Sequence, residues 1–327
     1  MDTRPLGTTG HEVTEIGMGT WNVGSDWGDV SPAEGRDAIR AALDAGVTFL
    51  DTADVYGGGQ SEELIADVVA EHEASPIIAT KAGRGLEQHT AGGYTRENIE
   101  RFIDDSRARL GVDALDLLQL HCPPTDVYYR PEVFEALESL VEAGKIDAYG
   151  ASVARVEEGL KAIEYPGLET VQIIFNPFRQ RPAELFLEEA ARRDIGVIVR
   201  VPLASGLLAD ALDSESTFPE NDHRNYNRDG DAFDVGETFA GVPFERGLEA
   251  VDALRPAVPD DWTMAQFTLR WILDHDAVST VIPGSTNPSH VRQNVEVSSL
   301  SSLNSTQRQI VDDVYEGHIR DEVHHRW

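Results

Sequence analysis

Four residues of this chain have the types and spacing to move a proton between a side chain and a bound oxygen. Lys81 is one of only three lysines, with Lys145 and Lys161, and it ends an apolar run, Pro76-Ile77-Ile78-Ala79-Thr80-Lys81, that reads as a buried strand. Asp51 ends a second run at 47–51, Tyr56 follows in the loop Thr52-Ala53-Asp54-Val55-Tyr56-Gly57-Gly58-Gly59, and His121 ends a third run at 115–121. A free tyrosine, with a pKa of about 10, is a sluggish acid or base at neutral pH. A neighbouring ammonium stabilises tyrosinate and lowers that pKa, and a carboxylate beside the ammonium holds it charged and in place. An imidazole at the fourth corner would hydrogen-bond a substrate oxygen, orient it or relay the proton. The rival reading is a structural ion pair of Asp51 with Lys81; a lysine in a chain that otherwise prefers arginine argues against it.

For these side chains to meet, their strands must run parallel and end at one mouth. Apolar β-rich runs at 15–19, 47–51, 77–81, 115–121, 146–151, 170–175, 196–201 and 279–282 alternate with helical spacing at 33–45, 61–72, 95–110, 131–143 and 182–193. Ser31-Pro32 and Thr95-Arg96-Glu97 are good helix starts. Eight strands with intervening helices and no Pro/Ser-rich linker predict a (β/α)8 TIM barrel formed by one domain, residues 1–327, over the alternative of an open doubly wound sheet. Residues 4–13 hold two short segments around a Gly-containing turn, predicting an N-terminal β-hairpin that closes the bottom of the barrel. After the seventh barrel strand, 209–241 is rich in Asp, Asn, Gly, Ser and Arg without sustained periodicity, as in a lid, a binding segment or a disordered loop. Residues 305–327 read as a helix followed by a charged, solvated tail that includes His324 and His325.

The 58 acidic and 27 basic residues give a formal charge of −31, which repels nucleic-acid phosphates and anionic lipid. The acids are spread along the whole chain, and the excess reads as an adaptation to high salt, where the Debye length falls to about 3 Å at 1 M and a dense carboxylate shell is screened yet hydrated. An ordinary acidic protein is the alternative. No apolar run reaches the roughly 20 residues of a membrane-spanning helix, and no export signal is evident, so the expected setting is cytoplasmic. Cys122 is the single cysteine and is expected to pack rather than to act as a nucleophile. No cluster has convincing metal-ligand spacing, so no metal is expected.

In order and spacing, Gly17-Met18-Gly19-Thr20-Trp21, Asp51-Thr52-Ala53-Asp54-Val55-Tyr56-Gly57, Lys81, His121, Gln172 within Val171-Gln172-Ile173-Ile174-Phe175-Asn176, Pro202-Leu203-Ala204-Ser205-Gly206-Leu207-Leu208 and Ile282-Pro283-Gly284-Ser285 make a chain that resembles the aldo-keto reductases over nearly its full length. That resemblance implies a (β/α)8 barrel and an NAD(P)(H)-dependent interconversion of a carbonyl (aldehyde, ketone or sugar) and an alcohol. It implies a catalytic tetrad of Asp51, Tyr56, Lys81 and His121, with Tyr56 as general acid/base. It also implies a nicotinamide dinucleotide site without a Gly-x-Gly-x-x-Gly fingerprint. Ser152 and Gln172 would hold the nicotinamide amide, Leu203 and Ser205 would line the pyrophosphate path, and Gly19, Thr20, Trp21, Asp51, Arg200, Val201 and Leu207 would also bind the coenzyme. Gly284, Ser285, Thr286, His290, Gln293 and Asn294 would take the adenosine end, where Pro288 just inside the final helix suits an N-terminus aimed at phosphate.

Four positions depart from the family pattern. Val153 stands where an asparagine is usual, Arg200 stands where many members stack an aromatic ring on the nicotinamide, and Gly284 and His290 replace the lysine and arginine that often meet a 2′-phosphate. A planar guanidinium at Arg200 could stack similarly, and Arg292 could serve the phosphate. The family's habit favours NADP(H), with NAD(H) or dual use as the alternative. Trp21, Trp27 and Tyr128, with Tyr129 beside it, are the candidate substrate residues. With Asp26 and Asp54 as acidic neighbours they would suit a small polar aldehyde or sugar. The rival function is a coenzyme-binding regulatory or scaffold subunit resembling the potassium-channel β subunits. The oligomeric state is not legible.

Overall fold

The computed structural model describes residues 1–24 and 27–327. Strands β1 (Thr3–Pro5) and β2 (Glu12–Thr14) form an antiparallel hairpin. Eight further strands run parallel in chain order: β3 (Met18–Gly19), β4 (Phe49–Asp51), β5 (Ile77–Ala82), β6 (Leu115–His121), β7 (Ile146–Ser152), β8 (Thr170–Ile174), β9 (Gly196–Arg200) and β10 (Val278–Val281). The ring closes through the bridges Ile16 to Val281 and Gly19 to Gly284, with the Gly17 amide donating to the Val281 carbonyl. This is the (β/α)8 barrel the alternation predicts. Each predicted strand is present within one to three residues at either end.

Two apolar layers hold it. Inside the barrel, Phe49, Ala79, Leu117, Ala148, Ile198 and Ile282 pack with Leu6 and Val13 of the hairpin, all buried. The hairpin therefore plugs the barrel floor, as expected, and Gly7 lets it approach: a Cβ there would lie 2.4 Å from the Glu169 carbonyl and the Gly196 amide, both at the lower ends of strands. Outside the barrel, the apolar helix faces pack against the outward strand residues in one continuous cluster. The helix Pro32–Asp44 starts at a reciprocal capping box between Ser31 and Glu34, and Thr95 caps Arg96–Leu110, as the sequence signals indicated.

Two regions differ from expectation. The predicted helix at 182–193 is split into a 3₁₀ turn Arg181–Glu184 and a helix Phe186–Arg192, because Leu185 leaves the helical conformation (φ −146°). The tail beyond Val314 continues as a π turn Tyr315–Ile319 and a short helix Arg320–Val323, and it ends with Trp327 buried. His324 is half-buried, with its ring nitrogen bonded to the Tyr315 hydroxyl at 2.8 Å. The charged pattern concealed a terminal indole large enough to bring the segment back onto the body. Among the described residues no helix is long and apolar enough to cross a membrane.

Candidate active site

Five strands line one cleft with Asp51 from β4, His121 from β6, Ser152 from β7, Gln172 from β8 and Arg200 from β9, while Lys81 from β5 lies buried beneath Asp51. Parallel strands followed by helices leave all these ends on one face, where barrel enzymes build their sites. Tyr56 arrives on the turn after β4. That turn needs three glycines at positive φ, and at Gly57 a Cβ would strike the Gly24 carbonyl at 2.4 Å.

The Lys81 ammonium donates to Asp51 Oδ1 at 2.6 Å, to the Thr52 carbonyl at 2.8 Å and to the Tyr56 hydroxyl at 3.4 Å. Asp51 Oδ2 accepts from Gln172 Nε2 at 2.6 Å and Gln119 Nε2 at 3.1 Å, so the carboxylate is locked from both sides. The Tyr56 and His121 rings meet edge to face, 5.9 Å between centroids. Burial works against the lysine's charge, but Asp51 and Tyr56 outweigh it and Lys81 stays above the ordinary lysine range. For Tyr56 the balance differs from the sequence expectation. Burial, with Asp51 and Glu237, raises its pKa more than Lys81 and Arg84 lower it, so the phenol is protonated at neutral pH. Burial, helped by Arg84, Lys81 and Arg200, pushes His121 well below its ordinary value, which makes it a neutral imidazole.

Two charged residues that the sequence reading missed, Glu237 in the cleft wall and Arg84 paired with it, adjoin this cluster. Glu237, from the long segment after β9, accepts from Arg84 at 2.6 and 3.1 Å and lies 3.7 Å from Arg200. Burial opposes its charge, yet the two guanidiniums bring it down to about 2. Gln119 was also missed, although a strand's period of two places it on the same side as His121. Arg84 is three residues beyond Lys81, but nothing in the spacing marks Glu237 as its partner.

The cleft, ≈ 380 Å³, runs from Tyr56 and His121 past Leu203, Ser205 and Gly206 to Ser285, His290, Gln293 and Asn294. Of the coenzyme candidates, Gly19, Trp21, Asp51, Ser152, Gln172, Arg200, Val201, Leu203, Ser205, Gly284, Ser285, His290, Gln293 and Asn294 line it. Thr20, Leu207 and Thr286 do not. Thr20 is buried, and its hydroxyl donates to the Asp51 carbonyl at 2.8 Å, bracing the strand end from behind. Leu207 is buried against Gly247 beneath the turn, and Thr286 lies outside the cleft wall. Arg200 is not presented as an open stacking plane, since its Nη2 donates to the Val153 carbonyl at 3.1 Å and approaches Cys122 Sγ at 3.5 Å. Ser205 uses its hydroxyl on the long segment, accepting from the Phe239 amide at 3.0 Å.

Among the substrate candidates, Trp21 and Trp27 form an aromatic wall, 5.7 Å between centroids, and His223 of the long segment lies 4.6 Å from each. Tyr128 is misplaced by the sequence reading: the 3₁₀ turn Thr125–Tyr129 turns its ring into the protein interior, out of the cleft, and leaves Tyr129 66% exposed. Asp54 is buried behind the Tyr56 turn, its pKa raised to about 6 by burial and by Glu62, and Asp26 lies outside the described residues. Residues 209–241 thus contribute short turns and site residues, including the helix His223–Tyr226 and the 3₁₀ turns Val235–Glu237 and Phe239–Gly241.

A nicotinamide dinucleotide needs polar groups at one end, close backbone approach along the middle and a helix N-terminus at the other. His121 Nδ1 and Arg200 Nε are buried without a protein partner. Gly206 lines the middle of the cleft in a left-handed conformation (φ +104°) that brings bare backbone to its wall, and the helix Pro288–Glu296 begins at its far end with Asn287 as cap. The residues present fit that group.

The family description "Aldo/keto reductase family" matches residues 15–316. The chain is 30% identical to the aldo-keto reductase YhdN of Bacillus subtilis (strain 168), over 99% of this chain and 96% of that protein. In solved structures it is similar to the glycerol dehydrogenase AKR11B4 from Gluconobacter oxydans (27% identity, TM-score 0.79, covering 97% and 96%). It is also similar to the holo form of aldo-keto reductase AKR11C1 from Bacillus halodurans (25%, TM-score 0.76, covering 97% and 99%). With a barrel, a cleft and an Asp–Lys–Tyr–His cluster already in place, the chain belongs to the aldo/keto reductase family of NAD(P)-dependent oxidoreductases.

Proposed function

We propose that this enzyme interconverts a small polar carbonyl compound and its alcohol, with Tyr56 as the general acid/base. The observation that carries this reading is the buried Lys81 ammonium held between Asp51 and the Tyr56 hydroxyl, at 2.6 and 3.4 Å, directly beneath the cleft that those two residues line. A bound nicotinamide coenzyme supplies or accepts the hydride. Tyr56, protonated at rest, donates its proton to the carbonyl oxygen in reduction, and Lys81 stabilises the tyrosinate left behind. Asp51 keeps Lys81 oriented, while neutral His121 hydrogen-bonds the substrate oxygen and steers it toward Tyr56. Ser152 and Gln172 would hold the nicotinamide amide, Leu203 the pyrophosphate stretch, and His290, Gln293 and Asn294 the adenosine end.

NADP(H) is the preferred coenzyme in this reading, with Arg292 on the same helix as His290 serving the 2′-phosphate. The Trp21–Trp27 wall, together with the likeness to a glycerol dehydrogenase, favours a hydroxylated aldehyde, ketone or sugar. We further infer one domain, a cytoplasmic setting and work at high salt. The last rests on the charge of −31 and on a described surface with only four well-exposed large apolar side chains.

The test is turnover of a panel of aldehydes, ketones and sugars with NADPH and with NADH, in multimolar and in dilute salt. Tyr56→Phe should lower kcat by roughly 10²–10⁴-fold with coenzyme affinity retained, as expected for loss of a general acid. Tight coenzyme binding by the wild type without turnover of any carbonyl would instead support a regulatory subunit.

A further inference from the structure

Trp327 lies far along the chain from the catalytic residues, yet it contacts the segment that carries Glu237 into the site. Its indole N–H donates to both carboxylate oxygens of Asp234, at 2.9 and 3.2 Å, and its backbone oxygen accepts from Arg181 at 2.6 Å. The Arg179 guanidinium stacks 4.2 Å from its ring and donates to the Ala240 carbonyl at 3.2 Å. Gly236 and Gly241 make room for that ring, since a Cβ at either would lie 2.9 or 2.5 Å from it. Asp234 also accepts from the Gly236 amide at 2.7 Å and so caps the 3₁₀ turn Val235–Glu237. A side chain 4% exposed, with its polar atom satisfied and two glycines cleared for it, is seated in a built socket.

We propose that Trp327 is a positioning residue for the active site: its indole seats the turn at 234–241 and thereby fixes Glu237 between Arg84 and Arg200. The turn is held from two sides. Outside, Trp327 grips Asp234 and the glycines; inside, Ser205 bonds the Phe239 amide. Seated there, Glu237 pairs with two guanidiniums and offsets part of the positive charge that acts on Tyr56 and His121. When the turn loosens, those cations act uncompensated on the phenol and favour its ionised form.

The kinetic arm of the test rests on the reading of Tyr56 as proton donor; the exchange arm does not. In a double-mutant cycle, Trp327→Ala and Glu237→Gln should each lower kcat/KM about tenfold, the scale of a positional loss remote from the chemistry. Both should move the alkaline limb of the reduction profile to lower pH. The double variant should be no worse than the poorer single. Trp327→Phe, which keeps the ring against Gly236 and Gly241, should recover most of the rate; if the alanine variant does not fold, Asp234→Ala, which removes the carboxylate the indole grips, takes its place in every arm. Amide exchange at 235–241 should speed up about tenfold in Trp327→Ala while β5 and β6 keep their protection. Losses that multiply in the double variant, an unmoved alkaline limb, or unchanged exchange at 235–241 would overturn the proposal. A wild type that turns over no carbonyl would defeat the functional reading alone, and the exchange result would still decide the role of Trp327.

Discussion

Lys81 acts at Tyr56 against a larger opposing influence. Burial destabilises a phenolate, so the Tyr56 pKa ends above its ordinary value despite the ammonium 3.4 Å away and the Arg84 guanidinium beyond it. The sequence alone suggested the opposite sign, because residue types report neighbouring charge but not desolvation. The sign has a measurable consequence. A raised pKa keeps the phenol protonated to higher pH, so kcat/KM for reduction should be level through neutrality and fall only above about pH 10, the ordinary tyrosine value. Neutral His121 adds no acid limb near pH 6.5, since its pKa is depressed and it gains a proton only well below that. A reduction profile that halves between pH 7 and 9 would show that the cation dominates after all. Alcohol oxidation, which needs tyrosinate, should rise across the range in which reduction falls.

At the scale of elements, the strand ends were legible because parallel barrel strands are short, apolar and punctuated by turn residues, and the placement of Asp51, Lys81 and His121 followed from them. What the pattern did not expose was how tightly strands and turns abut. A Cβ on Gly150 of β7 would lie 2.0 Å from Thr170 Oγ1 and 2.5 Å from the Thr170 carbonyl of β8, so no side chain fits between these strands. Gly150→Ala should therefore destabilise the fold by about 1–3 kcal/mol, the usual cost of overpacking, measurable by urea unfolding. An unchanged midpoint would show that β7 and β8 separate freely. The turn after β9 holds Val201, Ala204 and Ser205 at positive φ (50°, 46° and 54°), a conformation costly for a β-branched residue. Val201 and Ser205 line the cleft, so the strain falls where the backbone must follow it rather than at random. Tyr128 illustrates the reverse. Its position after β6 pointed to the mouth, but one 3₁₀ turn reversed the side chain's direction, and such turns carry little sequence signature.

Across the whole molecule, charge is the dominant physical fact. A net −31 spread over the surface should make the fold repel itself in dilute buffer, and about 1 M salt, with a Debye length near 3 Å, should relieve it. The melting temperature should therefore rise between dilute buffer and multimolar potassium chloride, and equal values would remove the salt-adaptation reading. Alternation of strand and helix, the positions of Asp51, Tyr56, Lys81 and His121, and the acidic surface were determined by the sequence itself, because each depends on local periodicity or on composition. The Arg84–Glu237 pair, separated by 153 positions, and the seat of Trp327 on Asp234, separated by 93, were decided only by the tertiary structure. Such contacts form when an aperiodic segment folds back over the barrel mouth. Their partners are chosen by space and desolvation, which no local pattern encodes.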